Sequence, residues 1–462
     1  MTQELITISP IDGREVVRRA YASETQIAQA LANAQSAQPA WHALGVQERG
    51  RLVSAAVDRF VEARDEIARA ITIQMGRPLR YTPGEVAGFE ARARHMIAIA
   101  DEALAPIPAP PQAGFNRYIS REPIGVALTI APWNYPLLTA VNSIVPALMA
   151  GNTVILKHSD QTPLCAELIE RAFRDAGLPK GVFQYVHASH EIVQRMIRAP
   201  EIGYVSFTGS VRGGRNVEES AAGRFIGVGL ELGGNDPAYV RADAKIEHAV
   251  ETLVDGAFFN SGQSCCGIQR IYVAKPLYDE FIERAEALTR AYVLGNPLHA
   301  DTTLGPVVRT RAAAEIRGII AEAVSAGAQN MIDPSHFKEA SESSPYVAPA
   351  LLTRVNHHMR IMNDECFGPV VGIMPVDNDE EAIALMNDSP YGLTAAVFTQ
   401  DEDAALRIGR QVRTGTFFMN RCDYLDPALA WTGVKNTGRG VSLSAVGYEQ
   451  LTQAKSFHLR SV

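Results

Sequence analysis

Several features that would place a protein in a particular class are missing from this sequence. Its five cysteines form no CxxC pair, which argues against a zinc site or a dithiol redox motif, and we expect no metal. The odd cysteine count in 462 residues favours reduced thiols in a cytosol-like compartment. A formal net charge of -8 supplies no basic stripe for nucleic acid. Metal-dependent and nucleic-acid-binding functions are therefore disfavoured.

The sequence also lacks an export signal and an uninterrupted membrane segment. Residues 1–16 contain neither the basic start nor the apolar core of a signal peptide. The most apolar region, residues 124–156, is broken by prolines and asparagines, which favours buried strands and a helix over a membrane span. We therefore expect a cytoplasmic protein with no membrane partner.

The sequence does contain a regular alternation of strand and helix patterns. From residue 124 onward this alternation predicts a parallel sheet covered on both faces by helices. Before it, residues 23–70 show helical spacing, and Pro39 and Gly45 predict a break between two helices. The proline-rich residues 106–114 predict an extended linker. The expected fold class is α/β, with a Rossmann-like parallel-sheet domain, a second α/β domain and a small β arm.

Polar residues fall where the predicted strands end. Asn134, residues 157–160 and residues 208–210 each follow a buried strand, and Glu231 ends another strand just before two glycines. Ligands of parallel sheets bind beyond the carboxyl ends of the strands, so these residues are candidates for a site. Taken singly, the first three are equally well explained as ordinary turn or capping residues, and a glutamate such as Glu231 is more commonly a solvated strand-end residue.

The segment FNSGQSCCG, residues 259–267, places a cysteine in a glycine-bearing loop after a helical pattern. A cysteine in such a loop can act as a nucleophile. Alone the signal is weak, because a single cysteine is more often a small buried apolar residue.

Seven motifs together carry a resemblance to a known family: APWNYP (131–136), GNTVILKHSDQTP (151–163), FTGS (207–210), LELGGNDP (230–237), FNSGQSCCG (259–267), ECFGPV (365–370) and WTGVKNTGRG (431–440). In this order and spacing they resemble the aldehyde dehydrogenase superfamily over residues 9–457. The resemblance implies oxidation of an aldehyde to its carboxylic acid with NAD(P)+, through a cysteine thiohemiacetal and a thioester. A catalytically inactive binding or structural protein of the same fold is the alternative.

The resemblance also implies roles for individual residues. Cys265 matches the nucleophile, Asn134 matches the side-chain donor to the oxyanion, and Glu231 matches the base that activates water. Relatives that transfer the acyl group to coenzyme A usually lack this glutamate, so Glu231 favours hydrolysis. The cofactor residues implied are Lys157 and Asp160 at the adenosine ribose, Gly209 and Ser210 at the pyrophosphate, Glu365 at the nicotinamide ribose with Phe367 beside it, and Trp133.

The motif carries Asp160 where the family commonly has glutamate. A carboxylate there repels a 2′-phosphate, which favours NAD, while the shorter side chain leaves NADP open. The implied substrate pocket comprises Tyr135, Leu138, Asn142, Ser264, Cys266, Arg421, Asp423 and Trp431. Arg421 is a candidate partner for a carboxylate of a semialdehyde and Asp423 for an amine, although pairing with each other or facing solvent is the favoured explanation of both. The aldehyde itself stays open.

The domain organisation follows the same resemblance. Residues 1–104 and 124–232 are expected to form the dinucleotide-binding domain, and residues 233–436 the catalytic domain with the nucleophile. Residues 105–123 and 437–462 are expected to form an oligomerisation arm and C-terminal strand. An exposed edge strand of this kind pairs with a partner sheet, so a homodimer or homotetramer is expected.

Overall fold

The computed structural model describes residues 4–462. Its N-terminal part contains two short antiparallel strands, four helices and two strands of an arm: β1 (Glu4–Ile8), β2 (Glu15–Ala20), α1 (Glu24–Ala43), α2 (Gly45–Glu62), α3 (Arg64–Met75), α4 (Thr82–Ala103), β3 (Ile107–Pro108) and β4 (Phe115–Pro123). The next part alternates regularly: β5 (Val126–Ala131), α5 (Pro136–Met149), β6 (Thr153–His158), α6 (Pro163–Asp175), β7 (Phe183–Tyr185), α7 (His190–Arg198), β8 (Ile202–Thr208), α8 (Val211–Ala221) and β9 (Gly227–Glu231).

A second alternating part and the C-terminal strands follow: β10 (Asp236–Val240), α9 (Ile246–Phe258), β11 (Ile268–Ala274), α10 (Tyr278–Arg290), α11 (Thr310–Ser325), β12 (Gln329–Asn330), β13 (Ala350–Thr353), β14 (Val370–Val376), α12 (Asp379–Asn387), β15 (Thr394–Phe398), α13 (Glu402–Gly409), β16 (Thr416–Met419), β17 (Gly438–Arg439) and β18 (Thr452–Arg460). None of the helices in the described range is both long and apolar enough to cross a membrane.

Two mostly parallel sheets, each with one antiparallel edge strand (β17 and β12), form the body of the protein with helices on both faces, which confirms the predicted α/β class. The first has the strand order β17-β9-β8-β5-β6-β7, and the second has the order β12-β13-β14-β11-β10-β15-β16. All six residues of β5 are buried, because helices cover both faces of its sheet. The chain runs outward from β5 to β7 and then returns to β8 on the other side of β5, which opens a crevice at their carboxyl ends.

The predicted break at Pro39 is wrong. Helix α1 runs through Pro39 to Ala43, and the break occurs at Gly45, which has φ +76°. Trp41 explains the continuation, since its ring is 1% exposed and its Nε1 donates to Leu148 O at 2.9 Å. Packing of this last turn outweighs the roughly 3 kcal/mol that an interior proline costs. The region also contains three helices, α1 to α3, where two were predicted.

The arm is a separate three-stranded antiparallel sheet with the order β18-β4-β3. β4 and β18 pair over nine residues, and the rings of Tyr118 and Phe457 stack across them at 4.8 Å. Within residues 437–462, β17 does not join this arm but pairs with β9 of the first sheet. The domain boundaries themselves stay a prediction.

Candidate active site

Cys265 lies on a buried turn that follows α9. The chain leaves the helix through a 3-10 turn, Phe259–Gly262, in which residues 260–262 have φ between 54° and 69°. Three successive residues in the left-handed region reverse the chain sharply. Gln263 then fastens the turn, because its Oε1 accepts a hydrogen bond from Val308 N–H at 2.8 Å. The thiol of Cys265 is therefore presented from a well-anchored loop.

The two adjacent cysteines occupy different surroundings. Cys265 is half-buried, whereas Cys266 is 4% exposed and its Sγ donates to Asp423 Oδ1 at 2.8 Å. The hydrogen bond with Cys265 and burial raise the pKa of the Cys266 thiol well above its ordinary value. A thiol that stays protonated is a poor nucleophile, so Cys265 is the better candidate.

Asn134 is attached to the nucleophile loop by its side chain and its backbone. Its Nδ2 donates to Gln263 O at 3.1 Å, and its own carbonyl accepts from Asn260 Nδ2 at 3.0 Å. Nδ2 carries a second hydrogen, and the residue lines the same cleft as Cys265. The arrangement can supply a donor to an oxygen on a carbon bound to that thiol.

Glu231 ends β9 beside the same loop. Its carboxylate accepts hydrogen bonds from Ser442 Oγ and, at 3.4 Å, from Thr208 Oγ1. Burial raises the pKa of Glu231, and the Ser442 hydrogen bond and the charge of Arg92 oppose that shift. A carboxylate with a raised pKa is a stronger base, which suits activation of water near neutral pH.

Two cavities meet at Cys265. One is a cleft on the side of the first sheet, and the other is a cavity of about 260 Å³ between α4, α5 and the segment after β16. Cys265, Glu231 and Thr208 line both of them. A molecule in either cavity can therefore reach the thiol and the carboxylate.

The cleft brings together five of the residues predicted to bind a cofactor: Trp133, Gly209, Ser210, Glu365 and Phe367. Ser210 caps α8, whose N-terminal backbone N–H groups favour an anion. Burial raises the pKa of Glu365 to about 7, and a hydrogen bond from Gly234 N–H at 3.0 Å opposes the shift. The remaining two residues, Lys157 and Asp160, form an ion pair of 3.0 Å, and Tyr21 Oη donates to Asp160 at 2.6 Å.

The second cavity is lined by seven of the eight residues predicted for the substrate pocket: Tyr135, Leu138, Asn142, Ser264, Cys266, Asp423 and Trp431. Arg421 is not among the lining residues. Its side chain is exposed, and its guanidinium lies 3.4 Å from the ring centroid of Tyr424.

Sequence reasoning missed two arginines, Arg77 and Arg92, which also line this cavity. A signal for Arg92 exists in the sequence, since it lies three residues after Phe89 and four before Met96 on the apolar face of α4. A cation on such a face indicates a buried polar site. No comparable pattern marks Arg77, which lies in the turn after α3.

Comparisons with known proteins agree with the predicted resemblance. A model of the aldehyde dehydrogenase family matches residues 1–457. The succinate-semialdehyde dehydrogenase [NADP(+)] of Deinococcus radiodurans is 34% identical, covering 97% of this chain and 93% of that protein. The betaine aldehyde dehydrogenase of Rhizobium etli is 31% identical, covering 98% and 93%. The crystal structure of PnpE with nicotinamide adenine dinucleotide has a TM-score of 0.94 and 31% identity, covering 99% and 94%.

Proposed function

Since the chain belongs to the aldehyde dehydrogenase family, we propose that it oxidises an aldehyde to the carboxylic acid with NAD(P)+ through a thioester on Cys265. The observation that carries this proposal is the position of Cys265 and Glu231 on the shared wall of two cavities. One cavity suits the aldehyde and the other suits the cofactor. The nucleophile and the base are accessible from both, as the reaction requires.

The first step is attack of the Cys265 thiolate on the aldehyde carbon. The thiol gives its proton to solvent water before the attack; a carbon–sulfur bond then forms as the carbonyl π bond breaks, and the carbonyl oxygen becomes an oxyanion. Asn134 Nδ2 and the backbone N–H of Cys265 donate to that oxyanion. Their fixed positions stabilise charge that develops only during reaction.

The cleft has the donor set that a dinucleotide requires. The N-terminus of α8 with Gly209 and Ser210 suits the pyrophosphate, and the carboxylate of Glu365 suits ribose hydroxyls. These residues would hold NAD(P)+, whose nicotinamide would accept the hydride that leaves the carbon bound to Cys265, and a thioester would remain.

Hydrolysis of the thioester then uses Glu231. Its carboxylate takes a proton from water as the water attacks the carbonyl carbon, and the carbon–sulfur bond breaks to release the acid and the Cys265 thiolate. Ser442 and Thr208 hold the carboxylate in place for this step.

NAD is the proposed cofactor, with weaker use of NADP. Lys157 already forms an ion pair with Asp160, and Asp160 also accepts a hydrogen bond from Tyr21 Oη. A 2′-phosphate placed beside this pair meets the Asp160 carboxylate and a lysine that this carboxylate already pairs.

The first sheet is the proposed dinucleotide-binding domain, and the second sheet the catalytic domain. The β18-β4-β3 arm is proposed to pair with a second copy, giving a homodimer or homotetramer in the cytoplasm. The long outer edge of β18 supports this assembly.

The test replaces Cys265 and its neighbour separately. Cys265→Ser should lower kcat/KM for aldehyde-dependent NADH formation by roughly a thousandfold or more, whereas Cys266→Ser serves as the matched control and should keep most of the activity. Glu231→Gln should release one equivalent of NADH per active site and then stall, because the thioester is no longer hydrolysed.

Cofactor binding checks that each variant is folded, and Trp133 in the cleft offers fluorescence quenching as the readout. Near wild-type turnover by Cys265→Ser would refute the proposal. No NADH from a broad aldehyde panel, despite cofactor binding, would instead favour the inactive protein.

A further inference from the structure

The substrate cavity contains a buried cation, Arg92, that forms no direct ion pair within residues 4–462, although the charge of Glu231 acts on it from farther away. Arg92 is 8% exposed, and its Nη1 donates to Leu138 O at 2.9 Å and to Asn142 Oδ1 at 3.2 Å. Within residues 4–462, its Nε and Nη2 make no hydrogen bond, and no carboxylate oxygen lies within 4.0 Å of its guanidinium. Because a guanidinium stays charged even when buried, this position attracts an anion.

Arg77, the other cation lining the cavity, differs in this respect. Its Nη1 bonds Glu85 Oε2 at 2.8 Å, and the two side chains are 5% and 0% exposed. Glu85 therefore compensates Arg77 inside the protein. Of the two arginines lining the cavity, Arg92 is therefore the one without a direct ion pair among the described residues.

We propose that Arg92 binds a carboxylate of the substrate, so that the preferred aldehyde carries an acid group at its other end. Nε and Nη2 of a guanidinium form the planar fork that pairs with both oxygens of a carboxylate. The same small cavity, of about 260 Å³, is lined by Cys265, so one short molecule spans the thiol and Arg92. This assignment rests on the aldehyde oxidation proposed above.

The aromatic lining of the cavity argues against a cationic aldehyde. Quaternary ammonium groups bind over the faces of aromatic rings. Arg77 already covers the rings of Tyr135 and Phe259, at 5.0 and 4.7 Å from their centroids, and Arg421 covers Tyr424 at 3.4 Å. The protein's own guanidinium groups therefore lie over three of the four aromatic rings that line the cavity, the fourth being Trp431.

Two carboxyl groups line this cavity, and apart from Glu231, the proposed base, it is Asp423 that a cationic substrate would approach. Its Oδ1 already accepts from Cys266 Sγ at 2.8 Å and from Ser264 Oγ at 3.3 Å. These contacts make Asp423 a structural partner of the nucleophile loop, which leaves Arg92 as the group that selects the substrate.

The experiment measures NADH formation by the full-length protein with a four-carbon ω-carboxy aldehyde, the matching ω-amide aldehyde and an aldehyde bearing a trimethylammonium group. The wild type should prefer the carboxylate over the amide by about tenfold or more in kcat/KM, because a hydrogen bond to a charged group is involved. Arg92→Gln should reduce this preference by about tenfold to a hundredfold, and Arg92→Lys should retain part of it. Arg421→Gln tests whether the exposed Arg421, and not Arg92, binds the carboxylate of the substrate.

A second measurement needs no variant: a short monocarboxylate should inhibit wild-type oxidation of the amide aldehyde at least about tenfold more strongly than its primary amide. Three outcomes would overturn the assignment. Arg92→Gln could lower kcat/KM equally for the carboxylate and amide aldehydes, or Arg421→Gln could remove the preference for the carboxylate instead. The third is a wild-type preference for the ammonium aldehyde. If the protein oxidises the amide aldehyde without preferring the carboxylate, the assignment to Arg92 fails while the proposed oxidation stands.

Discussion

Glu365 is a carboxylate in a position that disfavours its charge. Burial raises its pKa from 4.5 to about 7, and the hydrogen bond from Gly234 N–H does not offset this cost. Between those two pH values the folded state binds more protons at this site than the unfolded state, so the free energy of unfolding falls as pH rises through the interval. An ionised Glu365 in the proposed cofactor cleft therefore lowers the stability of the folded protein.

We therefore expect Glu365→Gln to become more stable relative to the wild type as pH rises from about 5 to about 8, since the amide does not ionise. Over this pH range the free energy of unfolding of the variant should rise by up to about 3 kcal/mol relative to that of the wild type, and by less where water in the cleft screens the carboxylate. Urea unfolding without cofactor measures it, and Glu339→Gln, at an exposed residue, is the control. A stability difference that does not change with pH would contradict the expectation.

The site residues that sequence motifs predicted are those whose chemistry depends on a local sequence pattern. Cys265, Asn134 and Glu231 each follow or end an element, and the structure brings them to one edge of the sheets. Arg92 was missed because its role depends on α4 packing against α5, a contact between residues about fifty positions apart in the chain. No local pattern specifies which distant helix covers a cavity.

At the scale of secondary structure, the turn between α9 and Cys265 depends on a close backbone approach. Gly262 has φ +69°, and a Cβ at this position would lie 2.0 Å from Gly368 O. Both the backbone conformation and the contact exclude a side chain without movement of the turn.

Gly262→Ala should therefore destabilise the protein by at least about 2 kcal/mol. It should also lower kcat by about a hundredfold, since small displacements of a nucleophile are costly. Gly318→Ala is the matched control, because Gly318 is exposed in α11 with no atom within 4 Å of its would-be Cβ. That change should stabilise the helix by about 0.5–1 kcal/mol. Thermal unfolding and NADH assays compare the two, and equal behaviour would show that the turn tolerates a side chain.

Most elements were predictable from periodicity, and the exceptions have a tertiary cause. Pro39 is a helix breaker by its covalent structure, but Trp41 packs into the core two residues later and keeps α1 intact. Local propensity is outweighed wherever a large buried side chain lies within one turn of the breaker.

At the scale of the whole molecule, the β arm has an edge, along β18, with which no other strand of residues 4–462 pairs. β18 pairs with β4 on one side only, over nine residues, and Leu459 is 51% exposed beside the stacked rings of Tyr118 and Phe457. Unpaired backbone groups and an apolar side chain on one edge strand favour addition of a second sheet.

We expect Leu459→Lys to raise the dissociation constant of the oligomer by about tenfold or more, because a lysine amine would be buried where a leucine packs. Leu406→Lys, at an equally exposed leucine (52%) on α13, adds the same charge outside the arm and should leave assembly unchanged. Sedimentation velocity over a range of protein concentrations measures both variants against the wild type. A wild type that sediments as a monomer throughout, or an equal shift in both variants, would exclude the arm as the interface. The arm is a separate sheet from the two that carry the proposed active site, so the Leu459→Lys monomer should still bind the cofactor. Cofactor binding would show that the variant is folded and that only its assembly has changed.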